Sequence, residues 1–243
     1  MVASRLLPWV LAAGAVLAVL LTYPFVATAI SYRRSDNGLA YILFVIGIGL
    51  WNGMFAAQLL DPNALVKGFF FALAAVGASL AALGWFLFAA TASSTRRVPR
   101  RGPVYGAAAV LVGVDISLII TAPVHDLYWA IPAGATPSAF AVIVPAVGYW
   151  LHTLLLVVLF AAGTVLFGFA WEAGTTVRFT RAYAVAGAAT AAAVAASNVV
   201  FLGGGSFAPL VAAALTTVGW VQADDGRTLY RVRPYLQPIR SIK

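Results

Sequence analysis

The chain of 243 residues contains no cysteine, which removes disulfides, thiolate metal ligands and thiol catalysis together. Charge is almost as scarce. Only 9% of residues are Asp, Glu, Lys or Arg, against about 25% in a soluble domain, too few to cover a globule with polar surface. Lysine occurs only at Lys67 and Lys243, outside the predicted apolar runs, so no membrane-embedded lysine is expected to carry a retinal Schiff base. Histidine occurs twice, at His125 and His152, with no cysteine or glutamate beside either, a poor basis for a zinc site. GxSxG, HExxH and Gly-rich phosphate loops are also missing, and with them the common routes to acyl transfer, metalloproteolysis and nucleotide chemistry. No catalytic residue, metal or cofactor is therefore expected, and the chain is not expected to be an enzyme.

What is present is apolar sequence, 63% of the whole. It falls into runs long enough to cross a bilayer as helices. The runs are continuous, without the period-2 alternation of a barrel. Spans are predicted near Leu6–Ile30, Leu39–Leu60, Gly68–Ala92, Val104–Ala122, Val142–Ala170, Ala182–Leu202 and Phe207–Ala223. The expected fold is all-α: a polytopic membrane protein with a seven-transmembrane-helix bundle over 1–223 and a basic tail over 224–243. The first run, with Arg5 ahead and VATA behind, also has the outline of a signal peptide, but it exceeds the usual apolar core of one. The sixth is alanine-rich, with Ala184, Ala188, Ala192 and Ala196 at four-residue spacing. Small faces allow close helix approach in lipid, so this helix is expected at the centre of the bundle.

The distribution of positive charge sets a direction. Arg33 and Arg34, then Arg96, Arg97, Arg100 and Arg101, then Arg178 and Arg181 fill alternate connections. Five more basic residues lie in the tail, so thirteen fall on one side and only Arg5 and Lys67 on the other. Basic loops stay cytoplasmic. The N-terminus is expected outside and the C-terminus in the cytoplasm, across the plasma membrane. The net charge of +8 is then a topology signal, and nucleic acid is not an expected partner.

The stretch GVDISLIITAPVHDLYWAI, Gly113 to Ile131, places an acid inside an apolar run and a histidine just beyond it. Counted from Val104, Asp115 lies about 16 Å into its helix, near mid-bilayer, where an acid normally faces the bundle interior. It is either a ligand, ion or proton site or a structural hydrogen-bonding group. Pro123 ends the helix by removing a donor and pushing Ala122 out of helical geometry, so that His125 can turn toward the fifth helix. Tyr128 and Trp129 read as interfacial anchors. An outer pocket is expected from His125, Trp129, Tyr149, Trp150, His152 and Gln58, with Asp115 below it; the alternative for His125 is a plain helix cap.

Taken together, these features resemble the seven-helix N-terminal sensor region of archaeal and bacterial histidine kinases. TAPVHDLYW is similar to that family's Thr-Asn-x-x-His-x-Leu-x-Trp, with Thr121, His125, Leu127 and Trp129 in place and Ala122 where asparagine is usual. Trp51, Gln58, Leu59, the Lys67-led third helix with GWFLFA, His152 in GYWLH, Asn198, Pro209 and the tail LYRVRPYLQPI match as well, although an acid is common at the position of Gln58. The resemblance implies a membrane sensor or receptor in a two-component system. The expectation is a module without its own kinase output domain, signalling through a separate partner such as a cytoplasmic kinase and responding to an unknown small ligand or membrane state. Arg96, Arg97, Arg100, Arg101, Arg227, Arg231 and Arg233 are expected to grip anionic lipid or dock the partner. The alternatives are a small transporter or proton-coupled carrier using Asp115, and a non-catalytic structural membrane subunit.

Overall fold

The computed structural model describes residues 2–31, 38–92, 101–132, 140, 143–172, 180–200 and 206–214. The helices are α1 (Val2–Ser31), α2 (Gly38–Leu60), α3 (Ala64–Ala92), α4 (Arg101–Ile120), α5 (Val147–Glu172) and α6 (Thr180–Val200). A 3-10 turn at Ala122–Val124 and two short strands, β1 (Trp129–Ala130) and β2 (Val144–Pro145), lie between α4 and α5. Residues 208–214, labelled α7, are helical. Among the described residues, six helices are long and apolar enough to cross a membrane. The seventh expected span, Phe207–Ala223, is described only through residue 214. The chain is an all-α polytopic membrane protein.

Two helix starts differ from the sequence reading for local reasons. α3 begins at Ala64, four residues ahead of Gly68, because Asn63 caps it: its Oδ1 accepts from the backbone N–H of Leu65 at 2.9 Å and satisfies one of the orphan donors of the first turn. α5 begins at Val147, five residues later than Val142. The apolar run had concealed β2, in which Val144 and Pro145 pair antiparallel with Ala130 and Trp129.

The centre of the bundle is α3, not α6. About two-thirds of α3 is buried, against a third of α6, and Ala188, Ala192 and Ala196 are exposed. Alanine all round a helix suits lipid contact as readily as burial, so the pattern carried no direction. Close approach is made instead by glycine between α2 and α3. A side chain at Gly47 would strike the backbone of Leu80 and Ala81, one at Gly77 that of Leu50 and Trp51, and one at Gly84 that of Leu43 and Phe44. These three contacts define one antiparallel register, and bare backbone at each lets dispersion contacts replace the absent hydrophobic drive in lipid.

At the end where α3 finishes, aromatic rings fill the bundle. Trp85 is fully buried, with ring centroids 5.0 Å from Phe167 and 5.5 Å from Phe44. Tyr183 stacks on Phe167 at 5.2 Å, and Phe88 packs 5.8 Å from Phe167. Gly163 and Gly187 leave the room that the Trp85 indole occupies.

Candidate functional site

The opposite end, where α4 finishes, is polar at its heart. Ala108, Val112, Asp115 and Ile119 form the buried seam of α4, at the three- and four-residue spacing of one helix face. Asp115 is 5% exposed and points inward, as expected of an acid at this depth. Because α4 starts at Arg101, Asp115 lies about 21 Å from the start of its helix and about 7.5 Å from the end. It lies on the His125 side of the helix midpoint.

Three donors from three separate elements converge on that carboxyl group. Ser79 Oγ of α3 donates to Oδ2 at 2.6 Å. Tyr128 OH, from the connection after α4, donates to Oδ1. His152 Nδ1 of α5 lies 3.0 Å from Oδ2 and 3.3 Å from Oδ1. A carboxylate only accepts, so Nδ1 carries the proton and the rest of the His152 ring is left to its surroundings. Burial, followed by the Asp115 hydrogen bond and charge, pushes the Tyr128 phenol well above its ordinary value; it stays a donor across neutral pH.

The connection is folded to deliver Tyr128. After the 3-10 turn, Gly148 N–H donates to Leu127 O at 2.8 Å and Ala146 N–H to Tyr128 O at 2.9 Å, while β1–β2 pairs the next two residues. A Cβ on Gly148 would collide with the Tyr128 ring, so glycine here lets the ring lie down on α5. Tyr128 and Trp129 are both buried, not exposed as interfacial anchors. With Ala75, Ile119, Ala122, Ile143 and Tyr149 they form an apolar cluster that covers the carboxyl group from this end.

Beside the cluster lies a cavity of about 50 Å³, bordered by His152, Gln58, Trp129, Tyr149, Trp51 and Asn198, among others. One water needs about 10–15 Å³ by the same measure, so there is room for several waters or a small solute. Of the expected pocket residues, the structure therefore brings together Gln58, Trp129, Tyr149 and His152, with Asp115 bonded to the last. His125 and Trp150 are not in this lining. Trp150 is exposed on α5. The His125 ring turns onto its own helix end: Nε2 lies 3.0 Å from Thr121 Oγ1, and Nδ1 accepts from Leu127 N–H at 3.4 Å. Thr121 Oγ1 already donates to Ser117 O at 2.8 Å, so Nε2 is the donor to it. Pro123 ends α4 as expected, and the backbone after it reaches α5, but the histidine side chain does not follow.

Sequence reasoning missed Ser79 and the bonding role of Tyr128. A lone serine in an apolar run is a weak signal, because serine commonly bonds back to its own helix, and Ser79 does also reach Ala75 O at 3.2 Å. Asn198 and Asn52 are cross-links as well. Asn198 Nδ2 donates to Thr153 Oγ1 at 2.9 Å, tying α6 to α5, and Asn52 Nδ2 donates to Pro209 O at 2.9 Å, tying α2 to α7. Arg96, Arg97, Arg100, Arg227, Arg231 and Arg233 lie outside the described residues, and Arg101 opens α4. Among the described residues, no group of three or more His, Asp or Glu side chains is placed to hold a metal ion.

Fold and site together define a multi-pass helical membrane protein with a hydrogen-bonded polar cluster buried among apolar helices. The family described as the N-terminal 7TM region of histidine kinase matches residues 10–222, and the chain belongs to it. That membership makes the chain a membrane sensor module. No curated protein and no solved structure matches the chain.

Proposed function

We propose that this sensor module reads its stimulus at the Asp115 cluster and the cavity beside it, and passes the change through the bundle to a cytoplasmic histidine kinase activity. The observation that carries this reading is the convergence of Ser79, Tyr128 and His152 on one buried carboxyl group. Each donor comes from a different element, so the cluster couples the relative positions of α3, α5 and the connection over α4. A small polar solute entering the cavity meets the His152 ring directly. It competes for bonds whose loss repositions Tyr128 and the strands that carry it.

The charge split in the loops supports an external position for this end, in the plasma membrane, and a cytoplasmic one for the basic connections. Arg96, Arg97, Arg100, Arg101, Arg227, Arg231 and Arg233 would then face anionic lipid, at about 1 kcal/mol per residue near the surface, or a kinase partner. The carrier reading is less well supported. A carrier needs a path through the far half, and the Trp85, Phe167 and Tyr183 rings fill that half.

The test is transcript profiling in the cells that make the protein. Deleting the chain should alter a defined set of transcripts, and Asp115→Asn should reproduce that alteration with the protein still present in the membrane. Leu154→Ala, on the exposed face of α5, should not. A deletion that changes no transcripts, or an Asp115→Asn protein indistinguishable from wild type, would remove the sensor site from this cluster. Uptake by vesicles that disappears with Asp115→Asn would favour the carrier.

A further inference from the structure

A second and larger cavity, of about 400 Å³, opens between α3 and α4 at the His125 end. Small-molecule sites occupy about 300–1,000 Å³, so its size is that of a ligand site. Its hollow comes from α3, where Gly68, Ala72 and Val76 follow at four-residue spacing and present one face. Ile119, Ile120 and Pro123 form the facing wall. Leu65, Phe69 and Ile120 on its edges are exposed large hydrophobic residues, which places the opening against lipid.

One feature breaks the apolar lining. Asp126 borders the cavity, is exposed, and is the only charged residue lining it among the described residues. The neighbouring His125 ring is engaged with Thr121. An apolar chamber with a single carboxylate at one end is complementary to a molecule of the opposite plan, an apolar chain ending in a positive charge. A fatty acid or a neutral lipid chain would fill the walls equally well and leave the carboxylate without its complement. We propose that this cavity is a binding site for a cationic amphiphile, a single hydrocarbon chain carrying an amine or quaternary ammonium head.

The position of the site gives binding a consequence, and here the inference rests on the sensor reading. Trp129 lines both this cavity and the small one beside His152. Its indole meets Phe71 edge-on at 4.9 Å, and it adjoins Tyr128, the donor to Asp115. One side chain is thus the wall between an amphiphile chamber and the polar cluster. A chain inserted against Trp129 shifts β1, and with it the phenol that Asp115 holds.

The experiment uses the full chain in nanodiscs of zwitterionic lipid and three brominated probes of equal chain length: an alkyltrimethylammonium, an alkanol and an alkanoate. Bromine quenches indole fluorescence at contact, and the component lost in Trp129→Phe identifies quenching at this site. The ammonium probe should half-saturate that component at a concentration about fivefold lower than the other two, the scale of one partly exposed ion pair. Asp126→Asn should abolish the difference, and Ala72→Phe should abolish saturable quenching by all three. Equal half-saturation for the three probes, or quenching unchanged by Ala72→Phe, would overturn the proposal; Asp126→Asn alone decides the charge preference if Ala72→Phe does not fold. Selective binding that leaves the deletion-sensitive transcripts unmoved would instead sink the sensor reading and spare this site. A transcript response without selective binding would do the reverse.

Discussion

At one end of the bundle, Trp85, Phe167, Tyr183, Phe88 and Phe44 fill the space between four helices ring against ring. At the other end, the helices enclose two cavities and meet through Asp115, Ser79, Tyr128 and His152. The aromatic half is shape-complementary, and aromatic pairs contribute about 0.5–1.5 kcal/mol each beyond the area they bury. Interhelical hydrogen bonds in membranes average only about 0.6 kcal/mol, so the three bonds to Asp115 together supply about 2 kcal/mol. The polar half is therefore the weaker and more adjustable one. A sensor needs that asymmetry: a half that holds the helices in register and a half whose arrangement a stimulus can change.

The sharpest break of this contrast is at the glycine contacts that bring α2 and α3 together. Gly84→Leu forces a side chain into the Phe44 backbone and should cost more than the usual 1–3 kcal/mol of overpacking. The expected result is little or no monodisperse protein on size exclusion after extraction. Next is Trp85→Ala, expected to lower stability by about 3–5 kcal/mol in denaturant unfolding, as large aromatic truncations do.

In the polar half, His152→Ala removes one donor and leaves a buried acid partly unpaired, with an expected loss of about 2–3 kcal/mol. Tyr128→Phe removes a single bond and should cost about 0.6–1 kcal/mol. It should also change the alkaline limb of the stability profile. The folded state holds the Tyr128 proton above its ordinary value, so the contribution of this bond is complete below the ordinary phenol pKa of about 10 and is lost as pH rises beyond it. Tyr128→Phe should make that decline shallower. The smallest effect is expected at Trp150, which is exposed on α5: Trp150→Ala should stay within about 0.5 kcal/mol of wild type.

The sequence made the spans legible because a membrane core demands long apolar runs, and it pointed to Asp115 because burying an acid there is costly. It also placed Tyr149, His152 and Gln58 near one end, since helix order and direction suffice for that. It could not show that the connection after Pro123 folds back, because β1 and β2 are two residues each and their pairing partner lies across an apolar run read as helix. Tyr128 as donor and His125 as a ring bonded to its own helix both depend on that fold-back. The central position of α3 was hidden for a different reason. Composition distinguishes small from large side chains but not lipid from protein as their neighbour, and the decisive glycines, Gly47, Gly77 and Gly84, are scattered over two helices.

If the Asp115 cluster serves sensing more than stability, one combined variant separates the two roles. Asp115→Leu with His152→Leu and Tyr128→Phe replaces the polar partners by apolar groups, and Ser79 keeps Ala75 O as its acceptor. Replacing a buried ionic group as a whole, unlike removing one partner, is often neutral or stabilising. Thermal unfolding and the transcript response should be measured on the same variant. A sensing cluster should give a melting temperature at or above that of wild type together with loss of the response; an unfolded bundle, or a folded one that still responds, would contradict that role.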